Sequence, residues 1–269
     1  MSTALSTDTS SVEPQVHVEF RRTLGHYAFE AFGILGAATC VGVLLWRSAS
    51  AVGHAGDSVL MATFIVAILS GYVLADFASG VVHFLFDRFF SLETPLLGAS
   101  FVAPFRMHHS DPKDITKHGF IETNGNNSLA TMPFLLALIV LPFDYTSAWQ
   151  LFIVVIITSA AVGTFLTNQF HKWAHSDHPP VVVMWLQDHH VILPRKHHQL
   201  HHSHPYDTHY CITTGWLNEI LNRIGFWRAL ERAGVAIGLR LYTERTPWEQ
   251  VPGSPAYAER KHMALTSGR

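Results

Sequence analysis

Four apolar stretches separated by short polar joints dominate the first two thirds of the chain. The first, about residues 27–46, carries no charge from Ala31 to Trp46. The second runs from Ser58 to Ala75, and its 18 uncharged residues approach the ~20 that cross a bilayer as a helix. The third, 128–143, is shorter and interrupted by Pro133; it suits a thin span or one arm of a re-entrant hairpin, and a full crossing is the expectation. The fourth, 145–170, contains the unbroken run Leu151 to Ile157 and is long enough to span. A soluble protein with buried helices is the competing reading, but four such runs leave too little amphipathic sequence to cover them. Beyond them, 181–186 is apolar but too short to cross. Leu217, Ile220, Leu221, Ile224, Trp227 and Leu230 then recur at helical spacing, with Arg223 and Arg228 interleaved. That pattern predicts one helix over 216–230 lying in the membrane interface, with a core-facing soluble helix as the alternative. Residues 1–22 and 236–269 read as poorly ordered tails, leaving 23–235 as the membrane domain.

Charge fixes the orientation. Only 14% of residues are charged, against roughly 25% in ordinary soluble domains. The net charge of −2 gives no field that would draw a polyanion, so a nucleic-acid partner is excluded. Arg21 and Arg22 precede the first span. Arg88, Arg106, Lys113 and Lys117 lie between the second and third, and Lys172, Arg195, Lys196, Arg223 and Arg228 follow the fourth. The alternate joints hold Arg47 or no basic residue at all. The expected fold is therefore an all-α integral membrane protein of about four transmembrane helices with a cytoplasmic, histidine-rich helical cap.

Histidine is the unusual residue. Of 19, fifteen lie between His83 and His209, all on the predicted cytoplasmic side, whereas His54 falls across the membrane. His171 and His175 stand one turn apart at the end of the fourth span. His197, His198, His201 and His202 put four imidazoles in six residues, a density that core packing does not explain. His108 and His109 are adjacent. His83 shares a helical stripe with Asp76 and Asp87, and His118 precedes Glu122 by four. The expected metal ligands are His83, His108, His109, His118, His171, His175, His198, His201 and His202. Asp76, Asp87, Asn168, His190 and His197 are expected to orient them. His178, His189, His204 and His209 repeat no ligand spacing. A single metal takes about four protein ligands, so this set suits two. The paired Glu and Glu-x-x-His pattern of carboxylate-bridged di-iron bundles is missing, and two lone cysteines offer no thiolate site. An all-nitrogen site beside a bilayer points to two iron ions, with dioxygen as co-substrate acting on a hydrocarbon chain. A metal transporter would instead place ligands inside the spans near the midplane.

Several ordered blocks carry a resemblance to a known family. They are Asp76 to His83, Pro104-Phe105-Arg106-Met107-His108-His109, Asp111-Pro112 and Gly119 to Asn124. Thr167-Asn168 to His175, Leu186-Gln187 to His202, Tyr210 to Asn218 and Gly225 to Glu231 complete the set. Over about residues 70–235 the chain resembles the plasmanylethanolamine desaturases. The resemblance implies a membrane enzyme of the bacterial inner membrane or endoplasmic reticulum that desaturates the alkyl chain of an ether phospholipid beside its oxygen. Bacterial members serve light-induced carotenoid synthesis, and more distant plant relatives desaturate an acyl chain of phosphatidylglycerol, so an acyl-chain desaturase or hydroxylase is the alternative. The chain carries no flavin or nicotinamide fingerprint. Electrons are expected from a separate donor, a b-type cytochrome or a ferredoxin with its reductase.

Overall fold

The computed structural model describes residues 23–91, 94, 95, 97, 98, 102, 105, 108, 109, 111–203 and 206–242. The N-terminal tail, residues 243–269 of the C-terminal tail and His204 lie outside these. Helix α1 (Leu24–Ala55) starts at Thr23, whose hydroxyl accepts from the His26 amide, and stops at Gly56 in the left-handed conformation. Asp57 caps α2 (Ser58–Arg88) by accepting from the Val59 amide at 2.7 Å. A short α3 (Asp114–Lys117) leads into α4 (Phe120–Val140), and α5 (Ala148–His175) follows. Four small helices close the described chain: α6 (Val181–Asp188), α7 (Arg195–His201), α8 (Asn218–Arg223) and α9 (Phe226–Ala236). No strand occurs among the described residues.

Three helices, α1, α2 and α5, are long and apolar enough to cross a membrane. Their outward faces expose Leu35, Trp46, Val59, Ile65, Val66, Leu69 and Trp149, as lipid-facing surfaces do. At 1.5 Å per residue, the 31 residues of α2 extend about 46 Å, against about 30 Å of hydrocarbon. The excess carries the helix well past Ala75, and α5 likewise continues beyond Phe170 to His175. Those extensions carry His83, His171 and His175.

Two boundaries differ from the sequence expectation. The helix holding Pro133 begins at Phe120, not near Ser128, because its polar first turns are buried against α5. Asn127 Nδ2 donates to the Thr164 carbonyl at 2.9 Å, and Asn124 Nδ2 meets Gln169 Oε1 at 3.3 Å. The amphipathic stretch over 216–230 is two helices, since Gly225 adopts φ +69° and breaks the run.

Helix α5 is central, packed on α2, α4 and α1. Contact with α2 is closest at Gly71, where a Cβ would lie 2.4 Å from the Ile156 carbonyl oxygen and 2.6 Å from Ser159 Cβ. Ser159 Oγ donates to the Ile68 carbonyl at 2.7 Å across the same seam. Gly71→Val is therefore expected to cost at least the ~1–3 kcal/mol of core overpacking. Thermal unfolding in detergent should show a midpoint several degrees lower; an unchanged midpoint would contradict this packing.

Candidate metal centre

The extended end of α2 and the loop after Ser203 build one wall of the site. Asp76, fully buried, accepts from the amides of Thr214 (2.7 Å), Gly215 (2.8 Å) and Leu217 (3.2 Å). One turn on, Gly80 lets this loop lie against the helix: a Cβ there would be 2.5 Å from Cys211 Sγ. Asn218 clamps both backbone groups of Cys211. The loop so pinned offers the Tyr210 carbonyl to His83 Nδ1 at 3.1 Å.

The opposite wall comes from α5 and α7. His171 and His175 face inward from the last turn of α5, and His198, His201 and His202 from α7 and its C-terminal cap. Helix α7 is held by the Leu193 amide on the Thr213 carbonyl (2.9 Å) and by Gln187, which donates to the Leu193 carbonyl.

Together with His108 and His109, which lie between α2 and α3, these elements bring eight of the nine expected ligands into two groups, each with ligand atoms within 4.8 Å of one another. The first is His108, His171, His175, His198 and His202; the second is His83, His108, His109 and His201. In the first, His198 Nε2 lies 2.7 Å from His175 Nε2, 2.9 Å from His171 Nε2 and 3.0 Å from His202 Nε2. In the second, Asp87 Oδ2 stands 3.2 Å from His109 Nε2, 3.3 Å from His83 Nε2 and 3.6 Å from His201 Nε2.

The donor chemistry fits a metal. Nδ1 of His83, His108 and His201 each faces a backbone carbonyl, those of Tyr210, Phe105 and Thr208. A carbonyl only accepts, so the proton sits on Nδ1 and the Nε2 lone pair points inward. His108 Nε2 is buried with no hydrogen-bond partner. Mutual Nε2 contacts among four imidazoles cannot all be hydrogen bonds, because each neutral ring has one N–H. A cation between them satisfies every lone pair at once.

Burial, reinforced by neighbouring imidazoles, holds His108 and His198 well below the ordinary histidine range and His202 down to about 2. The rings are thus neutral ligands at neutral pH. The unfolded chain binds more protons below about pH 6.5, so acid favours it by about 1.4 kcal/mol per pH unit for each such histidine. Metal-free protein should lose stability between pH 7 and pH 5. Equal unfolding midpoints at both values would contradict the buried neutral cluster.

The remaining expected residues are placed as follows. Asp87 lies beside the second group, where its Oδ2 meets Nε2 of His83, His109 and His201, as expected of an orienting carboxylate. Asp76 anchors the loop and touches neither group. His118 lies outside both: Nε2 is 3.2 Å from Asp114 and Nδ1 2.8 Å from Glu122. It lines a cavity of about 80 Å³ with Phe105, His108, Asn168 and His171. Asn168 also donates to the Thr123 carbonyl. His190 and His197 pair with each other at 5.7 Å, away from both groups. The carbonyls of Phe105, Thr208 and Tyr210 escape sequence reading, because any residue supplies one.

A family model described as a lipid desaturase domain matches residues 72–238. A plasmanylethanolamine desaturase of Myxococcus xanthus is 45% identical over 166 residues, covering 62% of this chain and 58% of its own. Plasmanylethanolamine desaturase 1 of Mus musculus is 46% identical over 178 residues, covering 62% and 63%. Chloroplastic fatty acid desaturase 4-like 1 of Arabidopsis thaliana is 38% identical over 170 residues, covering 62% and 55%. The chain thus spans about three fifths of the length of these curated relatives. No solved structure shows a significant match. The match begins in α2, takes in both histidine groups and ends just past α9: the chain belongs to the lipid desaturase family.

Proposed function

We propose that the protein is a plasmanylethanolamine desaturase, an oxidoreductase that forms the vinyl ether of plasmalogens from the 1-O-alkyl chain of an ether phospholipid. The observation that carries this reading is the pair of nitrogen-lined groups meeting at His108, at the C-terminal ends of the long apolar helices α2 and α5. The overall change is –O–CH2–CH2– + O2 + 2 e⁻ + 2 H⁺ → –O–CH=CH– + 2 H2O. Eight histidines would hold two iron ions, with Asp87 orienting rings of the second group, and allotting His108 to the second group gives each metal four imidazoles. When bound, the pair supplies the activation of dioxygen that unactivated C–H bonds require.

The protein's own residues hold, shield and protonate. The Nδ1 bonds of His83, His108 and His201 fix each ring's aim. Phe105 and Ile115 give the cavity part of an apolar wall, and its small volume admits a gas or a few solvent molecules rather than a headgroup. His118 bonds Glu122 through Nδ1 and Asp114 through Nε2, and Asp114 lines the cavity, so the three form a path for protons toward it. In this reading α4 makes a fourth crossing and the histidines face the cytoplasm of a bacterium, or the cytosol at the endoplasmic reticulum. The ether oxygen of a lipid lies at the interface, level with the ends of α2 and α5, and so presents the adjoining carbons, while mid-chain carbons lie deeper.

The plant relatives named fatty acid desaturases support the second reading, an acyl-chain desaturase using the same groups. Expression in a plasmalogen-free host fed alkyl-ether lipid separates the two. Acid-labile release of fatty aldehyde from the lipid extract is the expected result; mid-chain double bonds without aldehyde would overturn it.

A further inference from the structure

The second histidine group is backed by an open cleft of about 480 Å³ that the proposed chemistry has not used. Its floor is Phe84, Tyr210 and Trp227, and its rim is Arg88, Asp207, Arg228, Glu231 and Arg232. Arg88 is committed to Glu231 at 2.6 Å. Arg228 and Arg232 stand one turn apart on the exposed face of α9 and make no ion pair among the described residues. Two free guanidinium groups thus face a single remaining carboxylate, Asp207.

The floor leads inward. The Trp227 ring is 4.9 Å, centroid to centroid, from Tyr210, and Tyr210 is 5.0 Å from His201. Both rings are almost fully buried. Two aromatic side chains therefore span the whole distance from a cationic, water-facing cleft to a ligand of the second group.

We propose that this cleft is the docking surface of an acidic one-electron carrier protein, with Trp227 and Tyr210 as the route by which its electrons reach the His83–His201 group. The proposal rests on the desaturase reading, which needs two electrons per double bond. Two reduced carriers would each lose one electron and leave oxidised, and the two electrons with two protons complete the reduction of dioxygen to water. Charge pairing at the rim would speed encounter and make it sensitive to salt.

The test uses the full chain in neutral-lipid nanodiscs, with two acidic probes: a soluble b-type cytochrome domain and a soluble [2Fe–2S] ferredoxin. Binding is measured first, without turnover. At least one probe should bind the wild type with an affinity that falls steeply with salt. Arg228→Glu combined with Arg232→Glu should weaken that binding at least tenfold. Turnover is then driven either by reduced carrier or by dithionite, and the ratio of the two rates should fall at least tenfold in the double variant. In Trp227→Phe, binding should persist while that ratio falls severalfold. Unchanged carrier binding in the double variant would overturn the proposal, as would an unchanged ratio. A variant altered only in its response to anionic lipid vesicles would overturn it too, assigning the arginines to headgroups. If no product forms with either reductant in the wild type, the desaturase reading fails, and the binding arm still decides whether the cleft docks a carrier.

Discussion

His198→Ala is expected to reduce vinyl-ether formation to below about 1% of wild type at matched protein level. His198 is the hub of the first group, with Nε2 within 3.0 Å of three other imidazoles. Loss of a residue that merely orients a ligand costs about 10–100-fold in metal affinity or activity, and loss of a ligand costs more. Iron content should fall by about half, since the second group keeps its own donors. His54→Ala is the matched control. It sits at the α1–α2 turn, bonded to the Ser50 carbonyl. The 25 residues from Ser58 to His83 put it about 38 Å along the helix axis from the site, so activity should be unchanged. Retained activity in His198→Ala would remove the metal assignment for the first group.

Asp76→Ala should have the largest effect on the fold. Its carboxyl takes three amides, those of Thr214 and Gly215 buried and that of Leu217 half-buried. Leaving the two buried amides unsatisfied costs about 1–3 kcal/mol each, or roughly 2–6 kcal/mol together, against a total stability of about 5–15 kcal/mol. The variant is expected to accumulate poorly and to bind little iron, because the freed loop no longer presents the Tyr210 carbonyl to His83. Asp76→Asn keeps one acceptor oxygen for Thr214 and Gly215 and opposes an NH2 to Leu217. It should fold with a lowered unfolding midpoint. Normal iron content and stability in both variants would show that the loop is held otherwise.

The histidine spacings were legible because helical neighbours three and four apart share a face. His171 with His175, and His198 with His202, form contacts that local geometry alone dictates. The long apolar runs were legible for the same reason, as single helices need no partner to be recognised. What could not be read is which distant segments meet. Asp76 looked like a ligand-orienting carboxyl from its stripe with His83, yet its partners lie some 140 positions away in a loop. His118 looked like a ligand, but Asp114 and Glu122 stand one turn either side of it and engage both ring nitrogens. The stripe Leu217 to Leu230 suggested one helix, and the positive φ at Gly225 divides it. Helix α4 begins ahead of the apolar stretch because Asn124 and Asn127, which carry no apolar signal, find partners on α5.

That two irons occupy these histidine groups is tested most directly by X-ray diffraction from crystals of iron-loaded protein, recorded at the iron absorption edge. Two anomalous peaks are expected, one among His171, His175, His198 and His202 and one among His83, His108, His109 and His201. A single peak, or peaks that track the zinc edge in protein competent for desaturation, would contradict the di-iron site.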